Sequence, residues 1–95
     1  MPRQQERRDY LTEIVLESAS GRRIARISDI GPGGCFIDAI TPVQPGEPVT
    51  FEVENGAGPL RFTGRVAYVL TGCGFGAEFT DLTDLHHQFI ASRMA

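Results

Sequence analysis

Short runs of alternating apolar residues, cut at close intervals by glycine-rich corners, constrain this 95-residue chain more than any other feature. Residues 49–54 read Val-Thr-Phe-Glu-Val-Glu, with Val49, Phe51 and Val53 on one side. Successive side chains on a strand point to opposite faces, so this run makes a strand with one buried face and one wet face. Residues 60–70 continue the alternation through Leu60, Phe62, Gly64, Val66, Tyr68 and Leu70, with Gly64 marking a bend. Phe75, Ala77 and Phe79 give a further strand its inner face. Upstream, residues 12–18 and 22–30 carry Ile14, Leu16, Ile24, Ile27 and Ile30 around a Ser-Ala-Ser-Gly cluster and read as a hairpin. Cys35-Phe36-Ile37 is a short strand. The breaks are Gly31-Pro32-Gly33-Gly34, a Pro/Gly loop over residues 42–48, the Asn55-Gly56 turn and the turn at residues 71–74.

The end of the chain changes period. Leu82, Leu85, Phe89, Ile90 and Met94 recur near 3.6 residues, behind Thr80 or Thr83 as a cap. Six short strands followed by one helix predict an all-β protein: a small six-stranded antiparallel β-barrel with one C-terminal α-helix covering an open end. Residues 1–11 have no apolar face and are expected to form a flexible Arg-rich N-terminal arm. Residues 12–95 form a single domain, the length being right for one and too short for two.

Composition then excludes whole classes of function. Hydrophobic residues at 41% and charged residues at 22% fit a globular chain rather than a disordered one. No apolar run is long enough to span a membrane, and the polar first ten residues lack the core of a secretory signal, so a cytoplasmic protein without membrane contact is expected. A net charge of −3 argues against a DNA- or RNA-binding barrel. Cys35 and Cys73 form neither a disulfide framework nor a zinc spacing and are expected to be small buried strand residues. His86 and His87 are adjacent, so on a helix they point about 100° apart and suit cap or surface positions rather than a shared metal. Asp81 and Asp84 suit the positive end of the helix dipole. There is no nucleophile elbow, and Gly31–Gly34 lacks the Lys and Ser/Thr of a phosphate loop. Neither catalysis nor a cofactor or metal is expected.

Binding is the remaining class, and the charges point to where. Every basic residue is Arg, whose planar fork suits phosphates and base edges. Residues 1–26 hold six Arg against four acids, whereas residues 27–95 hold three against eight. An anionic partner belongs at the N-terminal end.

Arg3-x-x-x-Arg7 is followed by Asp29-Ile30-Gly31-Pro32-Gly33-Gly34. Later come Cys35-Phe36-Ile37, Gly64-Arg65-Val66 and the stretch from Gly74-Phe75-Gly76-Ala77 to Leu82. In this order the chain resembles the PilZ domain family, small β-barrels that commonly bind the bacterial messenger cyclic di-GMP. That family carries Arg-x-x-x-Arg in an N-terminal segment and (Asp/Asn)-x-Ser-x-x-Gly some twenty residues later. The resemblance runs from residue 3 to about residue 93. Gly31 stands where the family has Ser. Arg3 and Arg7 give the better register, because with Arg7 or Arg8 as the first of the pair the second falls on Leu11 or Thr12.

The resemblance implies that Arg3 and Arg7 grip guanine and phosphate, with Arg8 able to replace either. It implies that Asp29 accepts from the N1 and N2 hydrogens of guanine, and that Gly31, Gly33 and Gly34 let backbone approach the ligand. A missing Ser hydroxyl costs about 1.5–3 kcal/mol, roughly ten- to a hundredfold in affinity. The implied function is a stand-alone cyclic di-GMP receptor or adaptor that passes its signal by contact to an unidentified effector protein. The alternative is an adaptor of the same fold that binds no nucleotide.

Overall fold

A computed structural model describes residues 8–94, and for Arg8 the backbone alone. The chain forms β1 (Arg8–Ser18), β2 (Gly21–Ile30), β3 (Gly34–Asp38), β4 (Pro48–Glu54), β5 (Pro59–Leu70), β6 (Gly74–Thr80) and α1 (Asp84–Met94). The strands close into an antiparallel barrel in the order β1-β2-β3-β6-β5-β4. This is the predicted fold class. Because the strands alternate in direction, one rim gathers the start of β1, the β2–β3 turn, the β4–β5 turn and the end of β6. The other gathers the β1–β2 turn, the β3–β4 loop and the β5–β6 turn.

The alternation does the folding work that the sequence assigns to it. Val49, Phe51 and Val53 are all buried while Thr50 and Glu52 face outward. Phe51 and Phe62 stack with centroids 5.1 Å apart and planes 5° apart, and Phe79 lies 5.1 Å from Phe62. Leu16, Ile27 and Ile37 complete the interior at 0% exposure. Removing a buried side chain of this size costs about 3–5 kcal/mol for Phe. Gly64 is not at a bulge. It pairs regularly with Val49 and Phe79, and a Cβ there would sit 2.6 Å from the Glu78 carbonyl oxygen. The residue is small because two backbones meet at that point.

Four expectations need correction. The first strand starts at Arg8, so residues 8–11, read as the end of the arm, are strand. The reason is Tyr10, whose ring meets Phe89 edge-on with centroids 6.1 Å apart, which rewards extending the ladder. In β5 the inward alternation ends at Val66. Ala67 is an extra residue opposite β6, and beyond it Tyr68 and Leu70 are exposed rather than buried. In α1 only Phe89 and Ile90 are buried, while Leu85 is half exposed and Leu82 precedes the helix. Leu82 and Met94 are half-buried against the core as expected, and His86 and Arg93 join Phe89 and Ile90 on the packed side as an imidazole and a guanidinium. Finally, Cys35 is buried but Cys73 lies exposed in the β5–β6 turn.

Candidate functional site

The register between β1 and β2 builds the site. Arg8 pairs with Ile30 and Asp9 with Asp29, so the start of β1 lies beside the Asp29 end of β2. Both strands bulge here, β1 between Asp9 and Thr12 and β2 between Ile27 and Asp29. Bulges bend a strand and re-aim its side chains, and they concentrate at barrel rims. Asp29 is half-buried and its neighbour across the ladder is a second acid. Two acidic residues thus stand opposite each other in the ladder, next to Arg8.

The following turn is fixed in place by its own backbone. The Gly31 N–H donates to the Gly34 carbonyl at 2.9 Å, and the Phe79 N–H donates to the Gly33 carbonyl at 2.8 Å. Gly34 begins β3 opposite Glu78 and is buried, with its α-carbon so near the Ala77 carbonyl that a Cβ would collide with backbone. Gly33 and Gly34 thus hold the turn against β6. The Gly31 N–H is engaged inside the turn. Of the sequence-derived site residues, Arg8, Asp29, Gly31, Gly33 and Gly34 share this rim by backbone position. Arg3 and Arg7 lie outside the described residues.

Four residues at the same rim had no part in the sequence-derived site: Thr83, His86, Tyr10 and Arg93. Thr83 caps α1, and His86, three residues on, fills the position a Glu takes in a capping box. The Thr83 N–H donates to His86 Nδ1 at 2.9 Å, with the Thr83 hydroxyl at the same distance. An accepting Nδ1 leaves the proton on Nε2, which lies 2.7 Å from the Arg61 carbonyl of β5 and donates to it. The imidazole also packs 4.7 Å from the Phe62 ring. One neutral histidine thus caps the helix and ties it to the barrel. At the other end of α1, the Arg93 guanidinium sits 4.4 Å over Phe89 and 5.7 Å over Tyr10, joining the helix to the start of β1. The Thr-x-x-His spacing was the available signal for the cap. Nothing local marks Tyr10 and Arg93 as partners.

Away from the rim, Arg61 bridges Glu17 at 2.6 Å and Glu52 at 3.2 Å on the outer wall. The hydrogen bond from Arg61 holds the Glu17 carboxyl below its ordinary 4.5, aided by the Thr50 hydroxyl, and raises the Arg61 value in turn. These groups serve one another on an exposed surface, where such pairs add little to stability. Among the described residues no cluster of three or more His, Cys, Asp or Glu could hold a metal ion. No described helix is long and apolar enough to cross a membrane.

No curated protein matches the chain. The PilZ domain family model matches residues 2–93, nearly the whole chain, and so takes in both the Arg-rich entry and the Asp29–Gly34 turn. With a closed six-stranded barrel and a single helix after β6, this chain belongs to the PilZ domain family, whose members are binding and adaptor domains of the cyclic di-GMP type.

Proposed function

We propose that this protein is a cyclic di-GMP receptor whose N-terminal segment closes over the messenger at the helix-covered rim and relays its presence by protein contact. The supporting observation is the pairing of Asp9 with Asp29 and Arg8 with Ile30, which sets the backbone of Arg8, next in sequence to Arg7, beside the start of the Asp29–Gly34 turn. In this reading the Arg forks take guanine edges and phosphates and the Asp29 carboxylate selects guanine. Tyr10, in contact with Phe89 and Arg93, gives any change at the start of β1 a direct path to α1 and so to the surface a partner meets.

Isothermal titration with cyclic di-GMP tests the reading. Heat saturating at one or two ligands per chain supports it, and Arg7→Ala and Asp29→Ala should each weaken binding about tenfold or more, equivalent to about 1.5 kcal/mol. Silence at tens of micromolar ligand with folded protein rejects it. That outcome favours the second reading, a nucleotide-free adaptor, for which the specific observation is Gly31 in place of the family's Ser, its N–H engaged inside the turn.

A further inference from the structure

The rim opposite the helix has no part in the reading above. After Val66, β5 is exposed on both sides: Ala67, Tyr68, Val69 and Leu70 all face solvent, and so do Thr71, Gly72 and Cys73 in the turn. The β4 side of β5 is paired only as far as Val66, whose N–H donates to the Glu47 carbonyl and whose carbonyl accepts from the Gly46 N–H. Among the described residues no strand covers that edge further on. Beside it lies an apolar groove of about 320 Å³, formed by Ala39, Ile40, Thr41 and Val43 of the β3–β4 loop facing Val69 and Leu70. Ile40 is 83% exposed and Leu70 50%. The Thr41 hydroxyl in the groove wall is buried with no partner among the described residues, which is rare for a polar atom in a complete wall.

We propose that this rim binds a second copy of the same chain, with the outer edge of β5 at residues 67–70 pairing antiparallel with its twin about a two-fold axis. Three observations select that occupant. An unpaired strand edge is completed by another strand edge, and the chain carries one that is self-complementary under two-fold symmetry. Residues 66–77 and 39–46 contain no charged side chain, although the chain has 21. A two-fold interface brings equivalent patches together, so on a protein of net charge −3 it favours an uncharged patch such as these two stretches, with Glu47 and Arg65 only at their margin. The exposed apolar residues are contiguous with the edge, so the same docking that pairs backbone also covers Ile40 and Leu70. The surface lies at the far end of the barrel from the Asp29 turn, so this inference stands whether or not a nucleotide binds.

Sedimentation velocity on the full chain over a concentration series tests it. The wild type should pass reversibly from monomer to dimer. Leu70→Arg and Ile40→Glu, both at exposed positions and checked for native circular dichroism, should raise the dissociation constant at least tenfold. Cross-linking through the exposed Cys73 with a bifunctional maleimide should trap dimer in the wild type and much less in Leu70→Arg. A wild type that remains monomeric into the hundreds of micromolar assigns the rim to a different partner and overturns the proposal. So does a dimer, or a cross-linking yield, unchanged by both charge substitutions.

Discussion

The two rims of this barrel are built from the same kinds of turn and end in opposite ways. At one, α1 lies across the opening, its cap is completed by His86, and Phe62, Phe79 and Phe89 are covered. At the other, β5 runs past its last buried residue, Val66, and leaves Tyr68, Val69 and Leu70 exposed. The covered rim carries Asp9, Asp29 and Arg93, whereas the open rim has two long stretches, residues 39–46 and 66–77, with no charge. The contrast separates two kinds of work. A polar ligand needs fixed, charged neighbours, and a rim braced by a helix and by backbone contacts at Gly34 can hold them. An apolar edge without charge suits protein contact, where shape and main-chain pairing decide.

Substitution at matched positions sharpens this contrast. Phe62→Ala removes a ring on which Phe51, Phe79, Phe89 and His86 all pack, and should destabilise by about 3–5 kcal/mol in urea unfolding. Leu70→Ala, measured in the same way at low protein concentration, should stay within about 0.5 kcal/mol, because the side chain is half exposed. Equal losses would mean that the open rim is as much core as the covered one.

A smaller effect tests the helix tie. His86→Ala removes the acceptor for the Thr83 N–H and the donor to the Arg61 carbonyl, and should cost about 1–2 kcal/mol, with hydrogen exchange rising first in α1. His87→Ala, next to it and exposed, should be nearly silent. The least effect belongs to the outer wall. The Glu17 carboxyl titrates lower in the folded protein than in the unfolded chain, so its contribution is complete above pH 4.5 and is lost as pH falls through the lower folded value. The thermal midpoints of wild type and Glu17→Gln should therefore differ slightly near neutrality and converge in acid. A gap that widens in acid would contradict the Arg61–Glu17 pairing.

The same contrast explains what could be read from the sequence. Strands whose neighbours alternate without interruption, such as β4 with Val49, Phe51 and Val53, announce both their existence and their buried face. Counting by twos fails where a residue is inserted. The bulge at Ala67 shifts the phase, so Tyr68 and Leu70 read as core and are surface. The helix face was legible through Leu82, Phe89, Ile90 and Met94 and missed only its flat polar members, His86 and Arg93, which pack as a ring and a plane. The turn residues of the candidate site were legible because glycine is required where Gly34 presses on the Ala77 carbonyl. Its arginines were legible only through their spacing, and Arg3 and Arg7 lie outside the described residues. The meeting of Arg8 with Ile30 was not legible at all, since it depends on where β1 begins, and Tyr10 sets that through a residue near the other end of the chain.

That long-range meeting has a kinetic consequence. The Tyr10 hydroxyl and Arg93 Nε, 3.4 Å apart, are separated by 83 positions, so their contact closes almost the whole polypeptide into a ring. Closing a long ring is entropically expensive and is rewarded only after the intervening strands have condensed. The rim that receives the leading segment is thus assembled among the last parts of the molecule and is among the first to fray. A visitor that clasps both ends of the chain there would act on the part of the landscape with the least resistance.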